Sequence, residues 1–146
     1  MSRFSKEELI TFEQRIIDLY NDNKLPFLFH LCGGNEEQLI NVFKKIKPSD
    51  WVYCSWRSHY QCLLKGVPEK KVKEEILAGR SISLCFPKYN IYSSAMVGGS
   101  LPISVGTAIS LKRHNSENRV YCFMGEIYGR SRIRKITSGC KRDVCV

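Results

Sequence analysis

The 146-residue sequence predicts an α/β fold: a parallel sheet with crossover helices. Three observations point there. Two β-branched and aromatic runs, WVYCSW over Trp51–Trp56 and VYCFM within Arg119–Met124, read as strands. Segments with helical spacing of apolar residues lie before and between them. The composition, 43% hydrophobic and 11% aromatic, can fill one core and excludes a disordered chain.

The elements follow in order. Ser5 and Glu8 form a capping box, and Leu9, Phe12, Ile16 and Tyr20 recur at helical spacing, which predicts an amphipathic helix over 6–21. The polar stretch Asn21–Pro26 ends it. FLFHLCGG, Phe27–Gly34, is a short apolar loop closed by two glycines. Asn35 and Gln38 are candidate caps for a second helix with Leu39, Val42, Phe43 and Ile46 inward and Pro48 as its stop. After the first strand come Arg57, Ser58 and His59, then a helix ending near Gly66. Pro68, as an N1 proline, opens another, with Val72, Ile76 and Leu77 on one face and Gly79 closing it. Residues 80–100 read as loop, with Pro87 and the small residues Ser93, Ser94, Ala95, Gly98, Gly99 and Ser100. Pro102 starts a helix in which Gly106 and Ala108 permit close packing. The second strand follows, and no third strand with clear periodicity comes after it.

The formal charge is +9, unevenly spread. Gly129–Val146 carries Arg130, Arg132, Arg134, Lys135, Lys141 and Arg142 against Asp143 alone, so the last eighteen residues hold +5. This stretch has no interleaved aromatic residues and matches no nucleic-acid module, so no nucleic-acid partner is expected. No run of eighteen apolar residues exists, which predicts no membrane span. Residues 1–13 lack the apolar core of a secretory signal. The seven cysteines are odd in number and include no CxxC pair. They read as reduced thiols rather than a disulfide framework or a zinc ribbon, and a cytoplasmic protein is expected.

In open α/β sheets ligands bind beyond the carboxyl ends of the strands. Those ends carry Arg57–Ser58–His59 and Gly125–Glu126. An arginine there can fork onto phosphate oxygens, an acidic residue can hold a magnesium ion that bridges phosphates, and the slim Ala95–Val97 loop can bring backbone groups close to a ring. That set of groups suits a diphosphate cofactor with a divalent metal. Bland readings stand beside it. Arg57 and His59 also read as surface residues after a strand, Glu126 as a solvated charge at a helix start, and His30 as a satisfied core histidine.

Four blocks occur in a recognisable order: FHLCGGNE (29–36), WRSH (56–59), AMVGGSLPISVGTA (95–108) and VYCFMGE (120–126). Together they make residues 8–128 resemble the alpha subunit of thiamine-diphosphate-dependent 2-oxo acid dehydrogenases, the group of the pyruvate, branched-chain 2-oxo acid and acetoin dehydrogenases. By this resemblance residues 1–128 are the N-terminal portion of a thiamine-diphosphate-binding parallel-sheet fold, truncated, and residues 129–146 are a basic tail unlike the family. His30 matches the family's active-site histidine, which assists the substrate carbonyl. Arg57 matches the arginine of the Y-R-x-H block that grips the diphosphate, and His59 the histidine of that block. Trp56 stands where the family has tyrosine, and an indole N–H reaches a phosphate differently from a hydroxyl. Ala95 to Val97 match the G-I-V stretch that contacts the aminopyrimidine ring through its backbone, with Val97 the apolar wedge and Ala95 in place of glycine. Pro102 and Gly106 match the helix that follows.

The resemblance implies oxidative decarboxylation of a 2-oxo acid, with thiamine diphosphate and Mg2+ as cofactors and the acyl group passing to a lipoyl-bearing transferase. The cofactor lies between alpha and beta subunits in a heterotetramer. The beta subunit supplies the glutamate that activates the aminopyrimidine, so this chain alone is expected to be inactive. A mitochondrial matrix location is implied if the source is eukaryotic.

The likeness stops within a residue of Gly125. Gly125 and Glu126 match the first two positions of the metal motif, but Glu126 replaces its aspartate, and an extra methylene moves a carboxylate that magnesium holds to near-octahedral geometry. The asparagine that closes the motif about thirty residues on in the family has no counterpart, since twenty residues follow Glu126. A frame shift near this codon, a fragment, or a specialised short paralogue each account for this, and the nucleotide sequence across Gly125 separates them. The alternative function is a non-catalytic interaction remnant that keeps the partner-binding surface without a complete cofactor site.

Overall fold

The computed structural model describes residues 4–25, 27, 29–124 and the backbone of 135–136 and 144–145. The expected site residues Gly125 and Glu126, and the rest of the basic tail, lie outside the described residues.

Helix α1, Lys6–Asn21, starts on the expected capping box: Ser5 Oγ accepts from the Glu8 amide at 3.2 Å, and the Ser5 amide donates to Glu8 Oε2 at 2.7 Å. Leu9, Phe12 and Ile16 face the core. Tyr20, expected on the same stripe, is 52% exposed and meets Phe29 edge-on at 5.3 Å. Glu13 points inward instead. Helix α2, Glu36–Phe43, buries Leu39 and Phe43. Its expected cap Asn35 makes no side-chain capping bond; the Glu36 carboxylate accepts from the Gly34 amide at 2.7 Å. The helix ends well before Pro48. The turn between Lys47 and Asp50 is held by the buried Lys65 ammonium, which donates to the carbonyls of Lys47, Pro48 and Asp50 at 2.9, 3.1 and 2.6 Å. The Asp50 carboxylate accepts from the amides of Lys47 and Arg119, both at 2.8 Å, tying this turn to the second expected strand.

Strand β1, Trp51–Cys54, is followed by α3, His59–Leu64, and α4, Glu69–Leu77. Pro68 is the residue before α4, with an extended ψ of 134°, rather than its first helical position. Residues 80–100, expected as loop, contain 3-10 turns at Ser81–Ser83 and Pro87–Tyr89 and two strands, β2 Cys85–Phe86 and β3 Ile91–Ser93. Three residues are too few to show a period. The sheet itself makes β3 a strand, since it runs parallel to β1 with Val52 opposite Ile91. Helix α5, Ser100–Arg113, begins before Pro102, whose missing N–H costs nothing in a first turn. Strand β4, Val120–Phe123, runs parallel to β1 on its other side, Val52 opposite Tyr121.

The strand order is β2-β3-β1-β4, with β2 antiparallel to β3. Beyond β4 the backbone adds β6, Val144–Cys145, parallel to β4, and β5, Lys135–Ile136, antiparallel to β6. The sequence reading did not place strands there. β1 thus has a parallel neighbour on each side, β3 and β4, rather than one, and both its faces are covered. Val52 and Cys54 join the larger core formed with α1 to α4, while Tyr53 packs with Val120 and Cys122 on the side of α5, against Leu101, Ala108 and Leu111. Burial of alternate residues on opposite faces is the geometry of a sheet with helices on both sides. The connection after β1 leaves through α3 and the one after β3 through α5, on the opposite face. A crevice opens at such a divergence.

Candidate functional site

The crevice lies at the carboxyl ends of β1, β3 and β4. It is lined by Ser55, Trp56, Met96, Val97, Gly98, Ser100, Phe123 and Met124 and is open to solvent. One atom organises it. The Cys54 carbonyl, at the last residue of β1, accepts from the Ser94 amide at 3.1 Å and from Ser100 Oγ at 2.7 Å. The loop after β3 and the start of α5 are thereby fastened to the end of β1. Within that loop Ser94 Oγ accepts from the Met96 amide at 3.1 Å, and the Gly99 amide donates to the Met96 carbonyl at 3.1 Å. Gly98 takes φ +72°, and a Cβ on Gly99 would sit 3.1 Å from Met96 Cβ and Ser94 Oγ. Two glycines are therefore what this turn needs. It presents Met96 and Val97 outward, 72% and 53% exposed, with Ala95 beside them.

The expected site residues fall into two groups. Trp56 and Val97 line the crevice together, and His30 meets Trp56 edge-to-face at 6.4 Å between ring centres. Arg57 is exposed next to Trp56 and donates from Nη1 to the Leu31 carbonyl at 2.7 Å. The His30 loop is thus joined to the end of β1. His59 belongs elsewhere. It is fully buried, and both ring nitrogens are engaged: Nδ1 with Glu13 Oε1 at 3.1 Å, Nε2 with Ser81 Oγ at 2.9 Å. Since a carboxylate only accepts, Nδ1 carries a hydrogen and donates to Glu13, while Nε2 pairs with the serine hydroxyl, which can donate or accept. His59 does not line the crevice that Trp56 and Val97 share, although the resemblance groups it with the cofactor-binding residues.

Glu13 is the residue that sequence reasoning passed over. Its carboxylate also accepts the Cys32 amide, at 2.8 Å on Oε1 and 3.0 Å on Oε2. The signal was present: Glu13 stands four residues after Leu9 and three before Ile16, where the apolar stripe of α1 calls for a hydrophobe. Ligand atoms of Glu13, Cys32 and His59 lie within 4.8 Å of one another. Burial, with the Glu13 charge next, pushes the Cys32 thiol up to about 12. Burial above all also raises the Tyr60 phenol, with the neighbouring Glu13 charge and hydrogen bond adding to it.

No protein-family model matches the chain. Among curated proteins it is similar to the alpha subunit of acetoin:2,6-dichlorophenolindophenol oxidoreductase of Bacillus subtilis. The two are 25% identical over 130 residues, covering 82% of this chain and 39% of that one. It is similar to pyruvate dehydrogenase E1 component subunit alpha-3, chloroplastic, of Oryza sativa, at 27% over 114 residues, 70% of this chain and 27% of the relative. The pyruvate dehydrogenase E1 component subunit alpha of Porphyra purpurea is 25% identical over 132 residues, 79% of this chain and 38% of its own length. The chain is a homologue of pyruvate and acetoin dehydrogenase alpha subunits. It spans between about a quarter and two fifths of the length of these relatives. Among the described residues no helix is long and apolar enough to cross a membrane.

Proposed function

We propose that this chain is the alpha-type component of a thiamine-diphosphate-dependent 2-oxo acid dehydrogenase and forms one wall of a cofactor site shared with a beta subunit. The observation that carries this reading is the convergence of His30, Trp56 and Val97 at the carboxyl ends of the parallel strands, with Val97 on a turn whose two glycines keep it slim. The fit to the cofactor is that of half a site. The crevice is open to solvent rather than enclosed, as expected of one wall of a site completed by a second chain. Its lining suits a flat ring: an exposed valine as wedge, an indole, and a backbone turn within reach.

In this reading the cofactor, when bound, supplies the electron sink for decarboxylation. The chain's own residues bind and orient. Val97 supports the ring, and the backbone of Ala95–Val97 offers it polar partners. Arg57 keeps one nitrogen on Leu31 and turns its remaining N–H groups to the diphosphate oxygens. His30 holds or delivers a proton beside the substrate carbonyl. The net reaction releases carbon dioxide from the 2-oxo acid and transfers the acyl group to one sulfur of a lipoyl disulfide on the transferase, which is thereby reduced. Gly125, Glu126 and any magnesium site lie outside the described residues, and no step is assigned to them.

Helix α5 supports the shared site. It buries Ser100 and Ser104, packs a partly buried Leu101 against the sheet, and leaves Ile103, Val105 and Ile109 outward, 58%, 44% and 50% exposed, on the chain that follows Met96 and Val97. An apolar face of this kind suits a protein partner. The same face favours the second reading, a partner-binding remnant without cofactor. Calorimetric titration with thiamine diphosphate and Mg2+, in the presence of a beta partner, separates the two. Micromolar binding is expected; association with the partner and no uptake of cofactor would establish the second reading instead.

A further inference from the structure

We propose that Glu13 is a positioning residue that locks the His30 loop to the Arg57 end of β1, so that His30 meets Trp56 in one geometry. The inference rests on the reading of His30 and Arg57 as site residues. The Glu13 carboxylate is 4% exposed, an expensive place for a charge unless its lone pairs are filled. They are filled from two segments that the sequence keeps far apart. The Cys32 amide, two residues after His30, spans both oxygens, and His59 Nδ1, two residues after Arg57, takes Oε1. One rigid carboxylate on α1 therefore sets the distance between the two segments. A leucine at this place would continue the apolar stripe of α1 and fill space as well. What it would lose is the directional hold on two donors at once. His59 extends the tie to the Ser81 turn through Nε2 at 2.9 Å. The outer tie, Arg57 to the Leu31 carbonyl, is exposed and has to release or share when the guanidinium engages an anion. The buried tie through Glu13 keeps the loop in register while that happens.

The experiment uses the whole chain, isotopically labelled, with no ligand added. In the wild type the ring hydrogens of His30 and Trp56 give a nuclear Overhauser contact, and the Cys32 amide exchanges slowly although it belongs to no helix or strand. Glu13→Gln keeps the size but places an NH2 where one donor needs an acceptor. The expected result is loss of the His30–Trp56 contact and Cys32 amide exchange at least about tenfold faster. Ser81→Ala is the control. Ser81 is equally buried and on the same chain of bonds, but its loss leaves both Glu13 contacts in place, so the ring contact is expected to persist. A folded E13Q chain that keeps the contact overturns the proposal, as does loss of the contact in both variants. If E13Q does not fold, the wild-type Cys32 amide decides. Exchange as slow as the Val52 amide of β1 supports the proposal, and exchange typical of an open loop overturns it. None of these readouts involves thiamine diphosphate, so a chain that passes them and binds no cofactor refutes the proposed function alone.

Discussion

Arg57 donates from Nη1 to the carbonyl of Leu31 at 2.7 Å, joining the residue beside His30 to the residue beside Trp56. The two lie 26 positions apart in sequence. A planar fork can hold a carbonyl on one edge and phosphate oxygens on another, which an ammonium cannot reproduce. Arg57→Lys is therefore expected to weaken thiamine diphosphate binding, measured calorimetrically with the beta partner present, by at least about tenfold, or roughly 1.4 kcal/mol. Its circular dichroism spectrum is expected to stay unchanged because Arg57 is exposed.

Ile103 and Ile109 test the partner surface. Both stand outward on α5, and full burial of an isoleucine contributes roughly 1.5–3 kcal/mol. An Ile103→Asp, Ile109→Asp double variant is expected to fold as the parent does and to bind a beta partner at least about tenfold more weakly in sedimentation or calorimetry. Unchanged affinity would place the partner on another face.

Lys65 serves the fold alone. Its three carbonyl partners, on Lys47, Pro48 and Asp50, close the turn that leads into β1. Lys65→Met keeps the stem and removes the donors. Leaving those carbonyls unmatched is expected to cost about 1–3 kcal/mol in urea unfolding, with the m-value unchanged.

The cysteines give a pH-dependent prediction. Burial raises the thiols of Cys32, Cys54 and Cys62, and Cys32 stands at about 12. A raised value means less thiolate at a given pH. At pH 8 a thiol at about 12 is ionised in roughly one molecule in ten thousand. Iodoacetamide at pH 8 is expected to alkylate exposed Cys85 well ahead of Cys32, Cys54, Cys62 and Cys122, which react only after urea is added. Peptide mass mapping reads the order.

Much of this arrangement was legible beforehand, for local reasons. The Ser5–Glu8 capping box and the Leu9, Phe12, Ile16 spacing define α1 because capping and helical periodicity act within one turn. Trp56 and Val97 were each marked by the resemblance, and both line the one crevice. Strand β3 was not legible, since three residues with no period become a strand only by pairing with β1. His59 was grouped with Arg57 among the cofactor-binding residues by its motif, yet it turns inward to Glu13 and Ser81. The same spacing in sequence allows a side chain at a helix start to face either the crevice or the core.

By itself the sequence determined the alternation of helices and strands, the family likeness, and the surplus of positive charge after Gly129. Each is written in neighbours a few residues apart. Tertiary structure alone decided which of the marked residues meet. It put His30 against Trp56, Arg57 on Leu31, and a buried Glu13 between Cys32 and His59. A buried carboxylate is tolerated only where several donors converge on it, and that convergence is made by distant segments packed on one sheet.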